Sequence, residues 1–170
     1  AFTRPAPASI DAPGLVLGNG TGGFTDDGRE YAIVLDGERE TPLPWSNVLA
    51  NAGFGSIVTS SGAAFTWAGN SRENRLTPFA NDPVSDPTAE AIYLRDEDSG
   101  EVWGATPGPL PREHDAGRWI VRHGPGLTRY QHAIDGLRQE LAVFVAPEDA
   151  VKVSVLTLTN TTTTPRRVSV

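Results

Sequence analysis

Cysteine and methionine are both absent from the sequence. Without cysteine there can be neither a disulfide framework nor a thiolate metal site, which excludes thiol redox chemistry and leaves the compartment open. The three histidines, His114, His123 and His132, recur every nine residues, so no two share a helix face at i and i+4. No metal site is expected from them. Basic residues are also scarce: 14 Lys and Arg stand against 21 Asp and Glu, a formal charge of -7. That balance repels phosphate backbones and anionic lipid heads, so neither nucleic acid nor direct membrane contact is expected. No apolar run nears the roughly 18 residues of a spanning helix, and no basic-then-apolar opening marks a signal peptide. A G-x-S-x-G nucleophile elbow is missing, and a serine hydrolase triad has no anchor.

What the chain does contain is turns. Eighteen glycines and 14 prolines punctuate short runs of alternating apolar and polar residues, and 170 residues suffice for one domain with a real core. "REYAIVLDG" reads as one strand, and "GSIVTSSGAAFTWAGN" as two strands about Ser60-Ser61-Gly62. "EAIYLRDEDSGEVWG" reads as a hairpin turned at Asp96 to Gly100, and "GRWIVRHG" as a further strand. In "LTRYQHAIDGLRQELAVFVAP" a helix competes, because Leu137, Leu141 and Phe144 share a helical spacing. Asp135-Gly136 is a hairpin signal, and the β-branched and aromatic tail favours strand. Val151, Val153 and Val155, with Leu156 and Leu158, fit a strand buried on at least one face, and Thr161 to Thr164 a turn. The class is all-β, most simply an antiparallel β-sandwich. Residues 1 to 14 read as an extended N-terminal arm and 15 to 170 as the sandwich. The alternating Val168-Ser169-Val170 gives the expectation of a piece cut from something longer.

One motif invites a nucleotide reading. "LVLGNGTGGFTDDGREYAIVLDG" places Gly18-x-Gly20-x-x-Gly23 after an apolar run, with Asp36 and Glu38 near the position of a ribose-binding acid. The fingerprint requires a helix to open inside the motif. Here a helix would have to cross Gly22, Gly23 and Gly28, each costing about 1 kcal/mol relative to alanine, and a β-branched run follows at once. The glycines read as a bend between strands.

The stretch "WAGNSRENRLTPFANDPVSDP", Trp67 to Pro87, lacks periodicity. Unstructured segments of about 20 residues inside compact domains are usually functional or disordered. Trp67, Phe79 and the near balance of charge argue for an ordered, working loop. Trp67, Asn70, Arg72, Glu73, Asn74, Arg75, Asn81 and Asp82 combine an aromatic face with planar, forked polar groups, the inventory of a sugar site. The alternative is that Arg72 and Glu73 cross-link the loop to itself while Trp67 plugs the core. Glu73, Asp82 and Asp86 could pair for glycoside chemistry. Among 21 acids such pairs arise by chance, so no residue is assigned a catalytic role.

The "NGTGGFTDDGREYAIVL" block, the run from "TPLPWSNVLANAGFGS" to "VWGATPGPLP", and "VRHGPGLTRYQHAIDGLRQELAVFVAPEDAVKVSVLTLTN" together resemble the N-terminal part of the inverting glycoside phosphorylases. This is the family of cellobiose and chitobiose phosphorylases, formerly glycosyltransferase family 36. The "TWAGNSRENRLTPFANDPVSDP" block resembles above all the phosphorylase-like region of cyclic β-1,2-glucan synthases and the β-1,2-oligoglucan phosphorylases. The resemblance implies a galactose-mutarotase-like sandwich, truncated at its C-terminal end, that packs on an (α/α)6 barrel absent from this chain. That barrel carries the general acid, and inorganic phosphate is the co-substrate, so this segment alone is expected to be inactive and to need no cofactor. Later sandwich strands in the family carry a loop that reaches a neighbouring subunit's active site in a homodimer, and that loop too is absent here. The implied setting is a bacterial cytoplasm, in some relatives within a membrane-anchored protein. On this footing Trp67, Arg72, Glu73, Asn74, Arg75 and Asp82 are expected at the rim of a β-glucan pocket. A free-standing carbohydrate-binding module and a purely structural assembly domain are the alternatives.

Overall fold

A computed structural model describes residues 10–111 and 117–170, and these hold twelve β-strands and no helix. None of the described residues therefore forms a helix able to cross a membrane, a statement that does not bear on β-barrels. Six strands form one antiparallel sheet in the order β1 (Gly22–Phe24), β2 (Tyr31–Asp36), β8 (Arg118–Gly124), β9 (Leu127–Ile134), β10 (Leu137–Val145) and β11 (Lys152–Asn160). Two three-stranded sheets complete the fold. One joins β3 (Ser46–Ala50), β4 (Phe54–Thr59) and β5 (Ala64–Ala68), and the other runs β12 (Val168–Ser169), β6 (Tyr93–Asp96), β7 (Val102–Gly104).

Period-two alternation builds the core. Ile33 and Leu35 of β2, Trp119 and Val121 of β8, Tyr130 of β9 and Leu141 and Val143 of β10 point the same way from the large sheet. They meet Leu49 and Val58 from one small sheet and Leu94 and Ala105 from the other. Burying a side chain of this size stabilises the fold by about 1.5–3 kcal/mol. The all-β, antiparallel sandwich read from the sequence is the architecture found.

Turn chemistry sets the registers. Asp135 and Gly136 both have positive φ (46° and 76°), the geometry of a two-residue hairpin turn whose twist suits the flanking strands. Residues 137 to 145 accordingly pair along their length with β9 and β11, and the competing helix does not form. The Asp96 to Gly100 turn is closed by the Asp96 carboxylate, which accepts the N–H groups of Asp98 and Ser99. In the glycine-rich segment, Gly22 and Gly23 lie in β1 against β2. A Cβ on Gly22 would sit 2.7 Å from the Ala32 carbonyl, so close backbone approach, not phosphate binding, explains this glycine.

The expectation for β11 needs correction. Val151 and Val155 are about half exposed, and Leu156 and Leu158 are only partly buried. The reason is position: among the described residues β11 is the last strand of the large sheet, with β10 alone beside it. The final strand, β12, does not extend that sheet but pairs with β6. Arg166, just before it, grips the buried Asp96 with two nitrogens and the Asp135 carbonyl with a third.

Candidate functional site

The non-periodic segment after β5 is an ordered layer laid over the outer face of the β3–β5 sheet. Strand alternation turns Gly55, Ile57, Phe65 and Trp67 to that face, with Gly55 opposite Trp67 and Ile57 opposite Phe65. The Trp67 ring lies over Gly55, where a Cβ would come within 2.3 Å of it. The segment then turns back, and Arg75 bridges Trp67 through the backbone. Phe79 stacks on Phe65 at 4.3 Å between ring centroids, and the Arg75 guanidinium sits 5.5 Å above the Phe79 ring. Phe65 and Trp67 are 5.4 Å apart.

Short polar side chains hold the shape. Asn70 Oδ1 accepts the N–H groups of Arg72 and Glu73, and Asn74 Nδ2 donates to the Ala68 carbonyl. Arg75 Nε donates to the Ser71 carbonyl. Asp82 accepts the N–H groups of Val84 and Ser85 and the Ser85 hydroxyl. These bonds, the Ser85 hydroxyl first, hold the Asp82 carboxyl below the usual range, the wrong direction for a general acid. Asp86 anchors the far end of the segment by accepting the Thr59 and Ser61 hydroxyls at 2.6 and 2.5 Å. Asn81 and Asp86 both adopt left-handed backbone (φ 49° and 40°), which Asn and Asp tolerate better than other side chains.

Of the residues nominated from sequence, the structure gathers Trp67 and Arg75 around Phe65 and Phe79. It places Arg72 and Glu73 together at an exposed tip, where they form an ion pair of 3.1 Å. Asp82 lies on the wall of a cavity of about 320 Å³ that Phe65 and Phe79 also line, together with Leu43, Pro44 and Ile57. Two aromatic residues were missed as members of the group. Phe79 offers a ring that is 41% exposed, and Phe65 supports it from below. The Phe65-x-Trp67 alternation in a strand pattern was the available signal.

The two described histidines serve the fold. His123 contacts the Thr128 hydroxyl and the Trp45 carbonyl, and burial pushes its pKa down. His132 stacks on Trp119 at 4.2 Å with its Nδ1 on the Arg118 carbonyl. His114 lies outside the described residues. Among the described residues no group of three or more potential ligands is placed to hold a metal ion.

Comparison with known proteins bears on what such a sandwich is for. Residues 29–170 match the family described as glycosyl hydrolase 94, supersandwich domain. The chain belongs to this family. The supersandwich is 40% identical over 161 residues to the cyclic beta-(1,2)-glucan synthase NdvB of Rhizobium meliloti, covering 95% of this chain and 6% of that protein. It is 31% identical over 153 residues to the solabiose phosphorylase of Paenibacillus borealis, covering 89% of this chain and 19% of that protein. It is 26% identical over 148 residues to the N,N'-diacetylchitobiose phosphorylase of Vibrio proteolyticus, covering 87% and 18%. The supersandwich thus spans less than a fifth of the length of these curated relatives.

Proposed function

We propose that this chain is the non-catalytic sandwich of a bacterial phosphorylase or transferase acting on β-linked glucans, with β-1,2 linkages the best match. In this reading it packs on a helical catalytic barrel elsewhere in the parent protein, where inorganic phosphate attacks the anomeric carbon and the barrel's acid protonates the leaving oxygen. The parent is cytoplasmic or membrane-anchored with this part in the cytoplasm, and it can be a homodimer. The observation that carries the reading is the 40% identity to a cyclic beta-(1,2)-glucan synthase across 95% of the chain.

The segment from Trp67 to Pro87 is the part we assign to the pocket rim. Its aromatic ledge and the capped turns that carry its forked side chains are held in place before any ligand arrives, which lowers the ordering cost of binding. Trp67, Arg72, Glu73, Asn74, Arg75 and Asp82 would shape the site without transferring protons. In the parent enzyme Arg75→Ala is expected to lower kcat/KM for phosphorolysis; unchanged kinetics would remove the loop from the functional account.

The exposed face of Phe79 favours a second reading, in which the sandwich binds glucan unaided. Titrating the 170-residue chain with sophorose and longer β-1,2-gluco-oligosaccharides separates the two. Amide shifts confined to residues 67 to 82 would establish a binding module. A dispersed spectrum without shifts at millimolar ligand would support a scaffold dependent on the barrel.

A further inference from the structure

Two cavities adjoin at the far half of the 67–87 segment. One, of about 320 Å³, lies between the β3–β5 sheet and residues 78 to 87. The other, of about 650 Å³, lies between residues 83 to 87 and the stretch from Pro107 to Pro111. Leu43, Pro44, Pro83, Asp86 and Pro87 line both. No residue of β11 or β12 borders either cavity, so their walls are complete without the end of the sandwich. In the smaller one, Pro44, Pro78, Pro83 and Pro87 stand beside Ile57, Phe65 and Phe79. Proline fixes φ, and walls built this way lose little freedom when something enters.

The polar side chains of the smaller cavity are unbalanced. Its hydroxyl donors are already used: Thr59 donates to Asp86, and Ser46 to the Pro44 carbonyl. Asp86 receives the Thr59 and Ser61 hydroxyls on the same oxygen, Oδ2, so Oδ1 keeps its accepting capacity. Asp82 takes three local bonds of the roughly four that a carboxylate can accept. Glu38 and Glu40 bring further carboxylates to the larger cavity. Among the described residues no Lys, Arg or His lines either cavity, and Arg75 lies over the Phe79 ring outside the lining. Asn81 aside, the side chains of the smaller cavity thus offer acceptors set in apolar walls. A sugar hydroxyl must accept as well as donate, and it would find few donors here.

We propose that the smaller cavity takes an arginine side chain from an extended segment of a partner polypeptide. The guanidinium meets the Asp82 and Asp86 carboxylates, and the stem packs on Ile57 and the prolines. Arginine is the complement of this lining, because it carries donors without acceptors on an apolar stem. Lysine suits it less well, since a planar fork matches a carboxylate with two bonds and stacks on rings, whereas an ammonium is a point charge. The segment that carries the arginine runs across the shared wall toward Glu38 and Glu40, where a further cation is favoured and an acid repelled.

The inference does not rest on the glucan reading. Its probe is the peptide acetyl-Ala-Ala-Arg-Ala-Ala-amide, titrated into the nitrogen-15-labelled 170-residue chain. Saturable amide shifts are expected at Ile57, Phe65, Asp82 and Asp86, with a Kd of about 1 mM. The same peptide with citrulline in place of arginine keeps the shape and loses the charge, and it should bind at least about fivefold more weakly. Asp82→Asn should weaken the arginine peptide by a similar factor, and because Asp82 is exposed the fold should survive the change. Glu148→Gln removes an equal charge from an exposed position between β10 and β11, and should move Kd less than about twofold. No shift at about 10 mM peptide, shifts spread over the acidic turns at 26–28 and 96–100, equal binding of the citrulline peptide, or equal effects of the two variants would each overturn the proposal. Free arginine binding as tightly as the peptide would overturn the polypeptide partner in favour of a small cation. Sophorose moving the same amides while the arginine peptide moves none would overturn the inference and leave the glucan reading standing.

Discussion

Polar groups inside the sandwich and polar groups in the 67–87 segment are both well supplied with hydrogen bonds, but over very different distances along the chain. Between the sheets, Tyr130 donates to the Thr59 carbonyl, and Asn47 Nδ2 serves Gly124, Leu127 and Thr128. Trp103 donates to Gln139, and Gln139 in turn to the Gly104 carbonyl. Partners there lie tens of residues apart. In the body of the segment, Asn70, Asn74 and Asp82 reach partners two to six residues away, and only its far end, Asp86, is tied to the sandwich through Thr59 and Ser61 among these bonds. Long-range polar bonds tie sheet to sheet and are lost only when the sandwich opens, so breaking one is felt globally. Local caps fix the shape of a turn and leave the sandwich intact. The comparison predicts that substitutions divide into those that lower global stability and those that loosen only the segment.

The largest effect is expected at the clasp between Arg166 and Asp96. Both side chains are nearly buried, with 9% and 2% exposure. Removing one member of a buried pair strands the other charge, at a cost of about 3–5 kcal/mol. Arg166→Ala should therefore lower the urea midpoint sharply. Burial alone would raise the Asp96 carboxyl, but Arg166 and the Ser99 and Asp98 amides outweigh it and hold the pKa below its ordinary value. A carboxylate depressed on folding stabilises fully above its unfolded pKa of about 3.9, and that stability is lost as pH falls through the folded value. The acid limb of the wild-type stability curve should be flattened in Asp96→Asn; an unchanged limb would place the acid sensitivity elsewhere.

Next in size is Tyr130→Phe. The ring is buried against the core and its hydroxyl donates to the Thr59 carbonyl, which keeps a second donor in the Gly62 N–H, so the loss should be that of one buried hydrogen bond, about 1 kcal/mol. His123 adds a pH dependence of its own. Burial depresses its pKa, partly offset by the Trp45 carbonyl, so the folded state prefers neutral imidazole. Stability is complete above about pH 6.5, the unfolded value, and declines as pH drops toward the folded one, because only the unfolded chain takes up the proton. Denaturation midpoints measured from pH 7.5 to 5 should show that decline in the wild type and a shallower one in His123→Asn.

How much of this division was legible in advance depends on the range of the interaction. Strand positions follow from period-two runs and turn residues, which are local, and Asp135-Gly136 alone decides hairpin over helix for residues 137 to 145. The ordering of residues 67 to 87 was readable from composition. Its seat on Phe65 was not, because stacking of Phe79 requires knowing which face of β5 the segment recrosses. Likewise β11 carries the alternation of a buried strand, and only the strand order reveals that among the described residues it has one neighbour. Arg166 lies 70 residues from Asp96, and nothing in either neighbourhood signals the other. The nominated Arg72 and Glu73 are adjacent in sequence, so proximity alone explains their pairing.

Asn70→Ala and Arg72→Ala sharpen the comparison at its weak end. Loss of the Asn70 cap frees the Arg72 and Glu73 amides, an effect of about 1 kcal/mol on a local equilibrium. Hydrogen exchange should speed up at those amides while the urea midpoint stays within error. Arg72→Ala should do less still. Its ion pair with Glu73 is 86% and 72% exposed, where water screens the attraction and two long side chains lose rotamer freedom by pairing. Neither the midpoint nor exchange at residues 70 to 76 should respond measurably. A drop in midpoint on Arg72→Ala would mean that the tip is tied to the sandwich after all, and the line between local caps and long-range bonds would have to be redrawn through the loop itself.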